Sequence, residues 1–140
     1  MKTKPNILLV DYHQNFREGL SLFIEMENIG KIIAEADNGF SFIKLIVEHD
    51  PDIVIMDLKM TKLNGLEITK IVLDRYPKLR ILAVAIIKNK ESAEKLIDLG
   101  VWGIIDKSSV NAELQIAIDT IIKGEKYFSP NTIGNLNMTS

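Results

Sequence analysis

The sequence predicts an α/β fold built on a doubly wound parallel sheet, and three observations carry that prediction. Five short apolar runs recur along the chain, segments of helical periodicity fill the intervals, and Gly, Pro and Asn punctuate the joints. The runs lie at residues 7–10, 32–34, 53–56, 81–87 and 101–105, and none alternates apolar with polar residues. Continuous apolar strands are covered on both faces, which is the situation of a parallel sheet flanked by helices. After the first run, Phe16, Leu20, Phe23 and Ile24 form one helical stripe. Leu66, Thr69, Val72 and Leu73 form a second, less clean one, and Leu114, Ala117, Ile118, Ile121 and Ile122 a third. Asn38-Gly39, Asp50-Pro51, Asn64-Gly65, Tyr76-Pro77 and Gly100 mark turns, and Ser108 or Ser109 is the expected N-cap of the last helix. Strand–helix alternation with right-handed crossovers then places helices on both faces of one sheet.

Composition narrows the function classes. A chain of 140 residues suits one domain with a proper core and is short for two. The net charge of −2 and a pI near 5.7 give no basic footprint for direct nucleic-acid binding. With no cysteine, disulfides and thiolate metal sites are excluded. Residues 1–6 lead into only four apolar residues, so no signal peptide is expected, and the run at 81–87 is far too short to span a bilayer. A cytoplasmic location is the expectation. Residues 5–125 read as the domain. Residues 126–140, rich in Asn, Thr, Ser and Gly, read as a tail or the start of a linker to an output domain absent from this chain.

Ligands of open α/β sheets gather beyond the C-terminal ends of the strands. Asp11 follows the first run, Asp57 the third and Lys107 the fifth, so all three are expected at one edge of the sheet. Two carboxylates and an ammonium suit phosphoryl chemistry: one acid as nucleophile, the other holding Mg²⁺, the lysine binding a phosphoryl oxygen. The competing reading for each acid is that it ends a strand and caps the next helix. His13 and His49 are isolated and read as helix-end residues rather than a metal pair, and Trp102 as a strand-edge or core packing residue.

Asp11 after Ile7-Leu8-Leu9-Val10, Asp57 closing Ile53-Val54-Ile55-Met56, Asn64-Gly65-Leu66-Glu67, and Lys107 after Gly103-Ile104-Ile105-Asp106 together resemble the receiver domain of two-component response regulators. Phe16-Arg17-Glu18-Gly19-Leu20 and Gly124-Glu125-Lys126-Tyr127-Phe128-Ser129-Pro130 are most similar to the LuxR-type branch, whose members usually continue into a helix-turn-helix DNA-binding domain. The resemblance implies a flavodoxin-like sheet of five strands in the order 2-1-3-4-5. It implies Asp57 as acceptor of a phosphoryl group from a histidine kinase, and Lys107 as partner of the acceptor or its phosphoryl group. Mg²⁺ would sit on Asp11 and Asp57 with the backbone carbonyl of Lys59. The partners implied are the kinase or another protein, a second copy in a homodimer, and DNA only through an output domain.

Four positions depart from the family pattern. The second acid after the first strand is Tyr12, which weakens the Mg²⁺ site without abolishing it. The hydroxyl expected after the fourth strand is Ala85, which has nothing to donate to a phosphoryl oxygen. The switch aromatic on the fifth strand is Ile104, a β-branched residue without a polar tip, and the proline four residues after the acceptor is Thr61. Lys59 has two readings, an exposed loop lysine or an ammonium that partly replaces the metal. Ile86 and Ile87 either extend the buried strand or contribute to an interaction surface. The expectation is a non-enzymatic, degenerate receiver, from a transcriptional regulator, whose switching is impaired or independent of phosphorylation. The alternatives are a conventional receiver using Asp57 and Mg²⁺, or a small aspartyl-phosphate phosphatase or phosphotransferase, which would need an acid where Lys59 stands.

Overall fold

The structure is a computed structural model that describes residues 4–58, 65–87 and 90–130. The apolar runs become strands β1 (Asn6–Val10), β2 (Lys31–Ala36), β3 (Ile53–Asp57), β4 (Ile81–Ala85) and β5 (Gly103–Asp106). Between and after them lie helices α1 (Gln14–Met26), α2 (Gly39–Glu48), α3 (Gly65–Arg75), α4 (Lys90–Leu99) and α5 (Val110–Ile122). All strand pairs are parallel. Side chains alternate between the two faces of each strand. Leu8, Val10, Met56, Ala83 and Ile104 therefore join α2, α3 and α4 in one core layer. Ile7, Leu9, Ile55, Val84 and Ile105 join α1 and α5 in the other. The central β3 is buried along its whole length, as its unbroken apolar run requires.

Two expectations are corrected. Among the described residues the sheet has six strands, not five, in the order β2-β1-β3-β4-β5-β6. The sixth, β6 (Tyr127–Phe128), comes from residues read as tail. Gly124, at φ +97°, turns the chain after α5, and Tyr127 and Ser129 then donate backbone hydrogen bonds to Trp102 and Ile104. Two residues are too few to show a strand period. The run at 81–87 ends as a strand at Ala85, and Ile86 beyond it is 57% exposed rather than an extension of the buried strand. Ser109 stands at the N-cap of α5 without a side-chain cap bond. Asp106 instead caps the 3-10 turn Lys107–Ser109, accepting from the Ser108 amide at 3.0 Å and hydroxyl at 2.8 Å.

Both histidines stand at helix ends. His13 caps α1 through its Nδ1, 3.4 Å from the Phe16 amide, and His49 ends α2. Trp102 is half-buried under the Arg80 guanidinium, 4.9 Å from the ring centroid. Among the described residues no helix is long and apolar enough to cross a membrane.

Candidate functional site

The C-terminal ends of β1, β3 and β5 bring Asp11, Asp57 and Lys107 together. Asp57 is the last residue of β3 and its side chain is 2% exposed. Lys107 starts the turn after β5, and its Nζ reaches past the end of β4 to lie 2.8 Å from Asp57 Oδ2. The same ammonium sits 4.6 Å from the centroid of the Phe16 ring, at the start of α1. Burial alone lowers the Lys107 pKa, but the hydrogen bond and charge of Asp57, with Asp11 adding, leave it above the ordinary lysine value.

Asp11 is held by its backbone and by the helix that follows. Its amide donates to the Ala36 carbonyl, and its carbonyl accepts from Arg17 Nη1 at 2.8 Å. Its Oδ1 accepts the His13 amide at 2.8 Å, whereas its buried Oδ2 meets no donor among the described residues. Burial pushes the carboxyl up to about 6; the His13 amide works against the rise, and the neighbouring Asp57 charge adds to it. Asp11 and Asp57 are thus neighbouring buried carboxylates, and Lys107 is hydrogen-bonded to the second of them.

A cleft of about 340 Å³ opens over Asp57 and Lys107, walled by Leu58, Leu66, Ala85, Ile86, Ile87 and Leu96. Beside it, a Cβ on Gly65 would fall 2.1 Å from the Leu58 carbonyl oxygen, so only glycine fits where α3 begins. A larger open groove of about 1020 Å³ lies at the opposite edge of the sheet, between Pro51, Arg80 and Lys123, and contains none of the predicted site residues.

The other predicted positions divide. Ala85 lines the cleft and offers a methyl where a hydroxyl was expected. Tyr12 is half-buried against the α2–α4 layer, its ring edge-on to His13. Ile104 is fully buried in that layer. Lys59 and Thr61 lie outside the described residues. Sequence reasoning missed the aromatic shelf under Lys107, because Phe16 reads only as part of a core stripe. It also missed a second polar cluster, where Glu113 on α5 accepts hydroxyl bonds from Tyr127 at 2.5 Å and Ser129 at 2.9 Å. The Tyr127 hydroxyl is pushed up to about 12, by burial first and by Glu113 second. No local motif signals that cluster, since its partners are 14 and 16 residues apart.

Comparison with known proteins agrees with this geometry. The response regulator receiver domain matches residues 7–119. The transcriptional regulatory protein DegU of Brevibacillus brevis is 29% identical over 96% of this chain and 57% of its own length. The response regulator GacA of Pseudomonas viridiflava is 30% identical over 96% of this chain and 63% of its own. The chain thus spans about three fifths of the length of these curated relatives. Among solved structures, a LuxR-family two-component response regulator from Aurantimonas sp. SI85-9A1 superposes with a TM-score of 0.91 at 32% identity, covering 97% of both chains.

Proposed function

The chain belongs to the response regulator receiver domain family, and from that premise we propose that it is a non-enzymatic receiver whose switching through Asp57 is impaired. The observation that carries this reading is the pairing of a preserved acceptor with a disabled relay. Asp57 is buried and held by Lys107 at 2.8 Å, while Ala85 at the cleft has no hydroxyl and Ile104 is fully buried without a polar tip. A phosphoryl group on Asp57 would gain Lys107 as a partner, but no hydroxyl at position 85 to pull and no aromatic at position 104 to reorient. Regulation then runs through protein partners, a histidine kinase or a second copy. DNA is contacted only through an output domain outside this chain, consistent with the longer transcriptional relative.

Magnesium, which receiver domains generally bind, fits the residues present. The Asp11 Oδ2 atom is buried without a donor beside Asp57, and Mg²⁺ is commonly held by one or two carboxylates with water completing the shell. Asp11 and Asp57 would hold it. Among the described residues no third acid or histidine joins them, which supports weak binding. When bound, the ion supplies charge compensation for the carboxylates and for phosphoryl oxygens.

The test is intact-protein mass spectrometry after incubation with a small acyl-phosphate donor and Mg²⁺, with Asp57→Ala as control. Little modification is expected of the parent chain. A Tyr12→Asp, Ala85→Thr double variant is expected to gain about tenfold in modification rate, as one added carboxylate and one hydroxyl each strengthen charge stabilisation. Rapid stoichiometric modification of Asp57 in the parent overturns the proposal in favour of a conventional phospho-acceptor.

A further inference from the structure

The last described segment is fastened more firmly than its length alone provides. β6 has two residues, and the segment lies on the edge strand through the Tyr127 amide to Trp102 at 3.0 Å and the Ser129 amide to Ile104 at 2.8 Å. A strand this short has little stability of its own. Glu113 adds a fastener, accepting the Tyr127 hydroxyl on one carboxylate oxygen and the Ser129 hydroxyl on the other. Ser129 is fully buried as a result. Gly103 makes the close approach feasible: a Cβ there would lie 2.8 Å from the Tyr127 carbonyl oxygen.

The segment also reaches both core layers. Tyr127 packs against the α1–α5 layer, and Phe128, in register with Ile104, against the α2–α4 layer. Leu96 of α4 is buried in that second layer and also walls the cleft over Asp57. β5, which β6 pairs with, runs directly into Lys107. The strand that β6 pairs with therefore runs into the Asp57 site, and the core layer under Phe128 includes a residue that walls it.

We propose that residues 127–129 form a releasable latch whose engagement on β5 reports the state of the Asp57–Lys107 site to the chain beyond residue 130. This rests on the reading of the chain as a receiver domain, and it gives the Asp57–Lys107 pair a route that does not pass through positions 85 and 104. The moving part is a strand of the backbone, not a rotating side chain on β5. Opening breaks the backbone pairing of β6 with β5 and two hydroxyl–carboxylate bonds, so it occurs by local unfolding while the core stays closed.

Residue-resolved amide hydrogen exchange on the full chain tests both halves of the proposal. Tyr127 and Ser129 are the reporters, and the amides of β3 are the core control. Glu113→Ala is expected to speed exchange at both reporters about tenfold, with β3 unchanged. Asp57→Asn, which keeps the side chain's size but removes the charge that attracts Lys107, is expected to speed the same two amides at least about threefold. That effect should shrink to within about twofold in the Glu113→Ala background, where the latch is already open. Leu96→Val, on the α4 wall of the cleft, gives the same readout without touching the charged pair if Asp57→Asn does not fold. Reporter amides that exchange with β3 in both parent and Glu113→Ala overturn the latch. Reporters within about twofold of the parent in the site variants overturn its coupling to the site. Neither measurement uses a phosphodonor, so the outcome is independent of whether Asp57 is phosphorylated.

Discussion

Two carboxylates, Asp11 after β1 and Glu113 on α5, are satisfied in opposite ways. Glu113 receives a hydroxyl on each of its oxygens. Asp11 receives one backbone amide, while its other oxygen is buried with no donor, next to Asp57. A carboxylate whose acceptor positions are filled from within fastens the fold. One that lacks a donor while buried stores a cost that a ligand can relieve. The contrast separates a structural cluster from a binding cluster without appeal to which residues are acidic.

Removing the ammonium is expected to have the largest effect. Lys107→Ala leaves the Asp57 carboxylate buried without its cation, and urea unfolding at pH 7 should show a loss of about 2–4 kcal/mol, moderated because the lysine is 27% exposed. A loss below about 0.5 kcal/mol would mean that water serves Asp57 as well as Lys107 does.

Asp11→Asn should move stability the other way. The folded protein holds the Asp11 proton more tightly than the unfolded chain, since its pKa rises from 3.8 to about 6. The associated stability is fully present below 3.8 and lost as pH climbs through about 6. In divalent-free buffer at pH 7 the substitution should therefore gain about 1–2 kcal/mol, after subtracting the weakened bond to the His13 amide, and flatten the stability profile between the two pKa values. An unchanged slope over that window would show that Asp11 is solvated.

The smallest change is expected at the satisfied cluster. Tyr127→Phe removes one of the two hydroxyl bonds to Glu113 and should cost about 1 kcal/mol in thermal or urea unfolding. A cost above about 3 kcal/mol would make the cluster a core element and blur the distinction.

The strands and the acidic site were legible because each depends on short sequence distances. Continuous apolar runs announce strands buried on both faces, and the residue that ends each run announces the ligand edge. Asp57 and Lys107 are 50 residues apart, yet the topology alone puts them together. Other features were hidden for physical reasons. Two residues of β6 carry no periodicity, and their anchoring comes from Glu113, Trp102 and Ile104, none of them near in sequence. Ile86 continues an apolar run, but the strand ends one residue earlier and leaves it exposed. Phe16 serves a helix stripe and a cation at once, and only the second role needs the tertiary structure.

The parallel sense of β6 also determines where anything attached to this domain begins. α5 carries the chain away from the edge that holds Asp57, and β5 spans about 13 Å between the two edges. Had the chain left at Ile122, a tether would start from the far pole. The short sixth strand reverses direction, so that Ser129, bonded to Ile104, already points back toward the Lys107 end. A module joined there needs a shorter leash to meet the Asp57 edge, and its effective concentration at that edge is correspondingly higher.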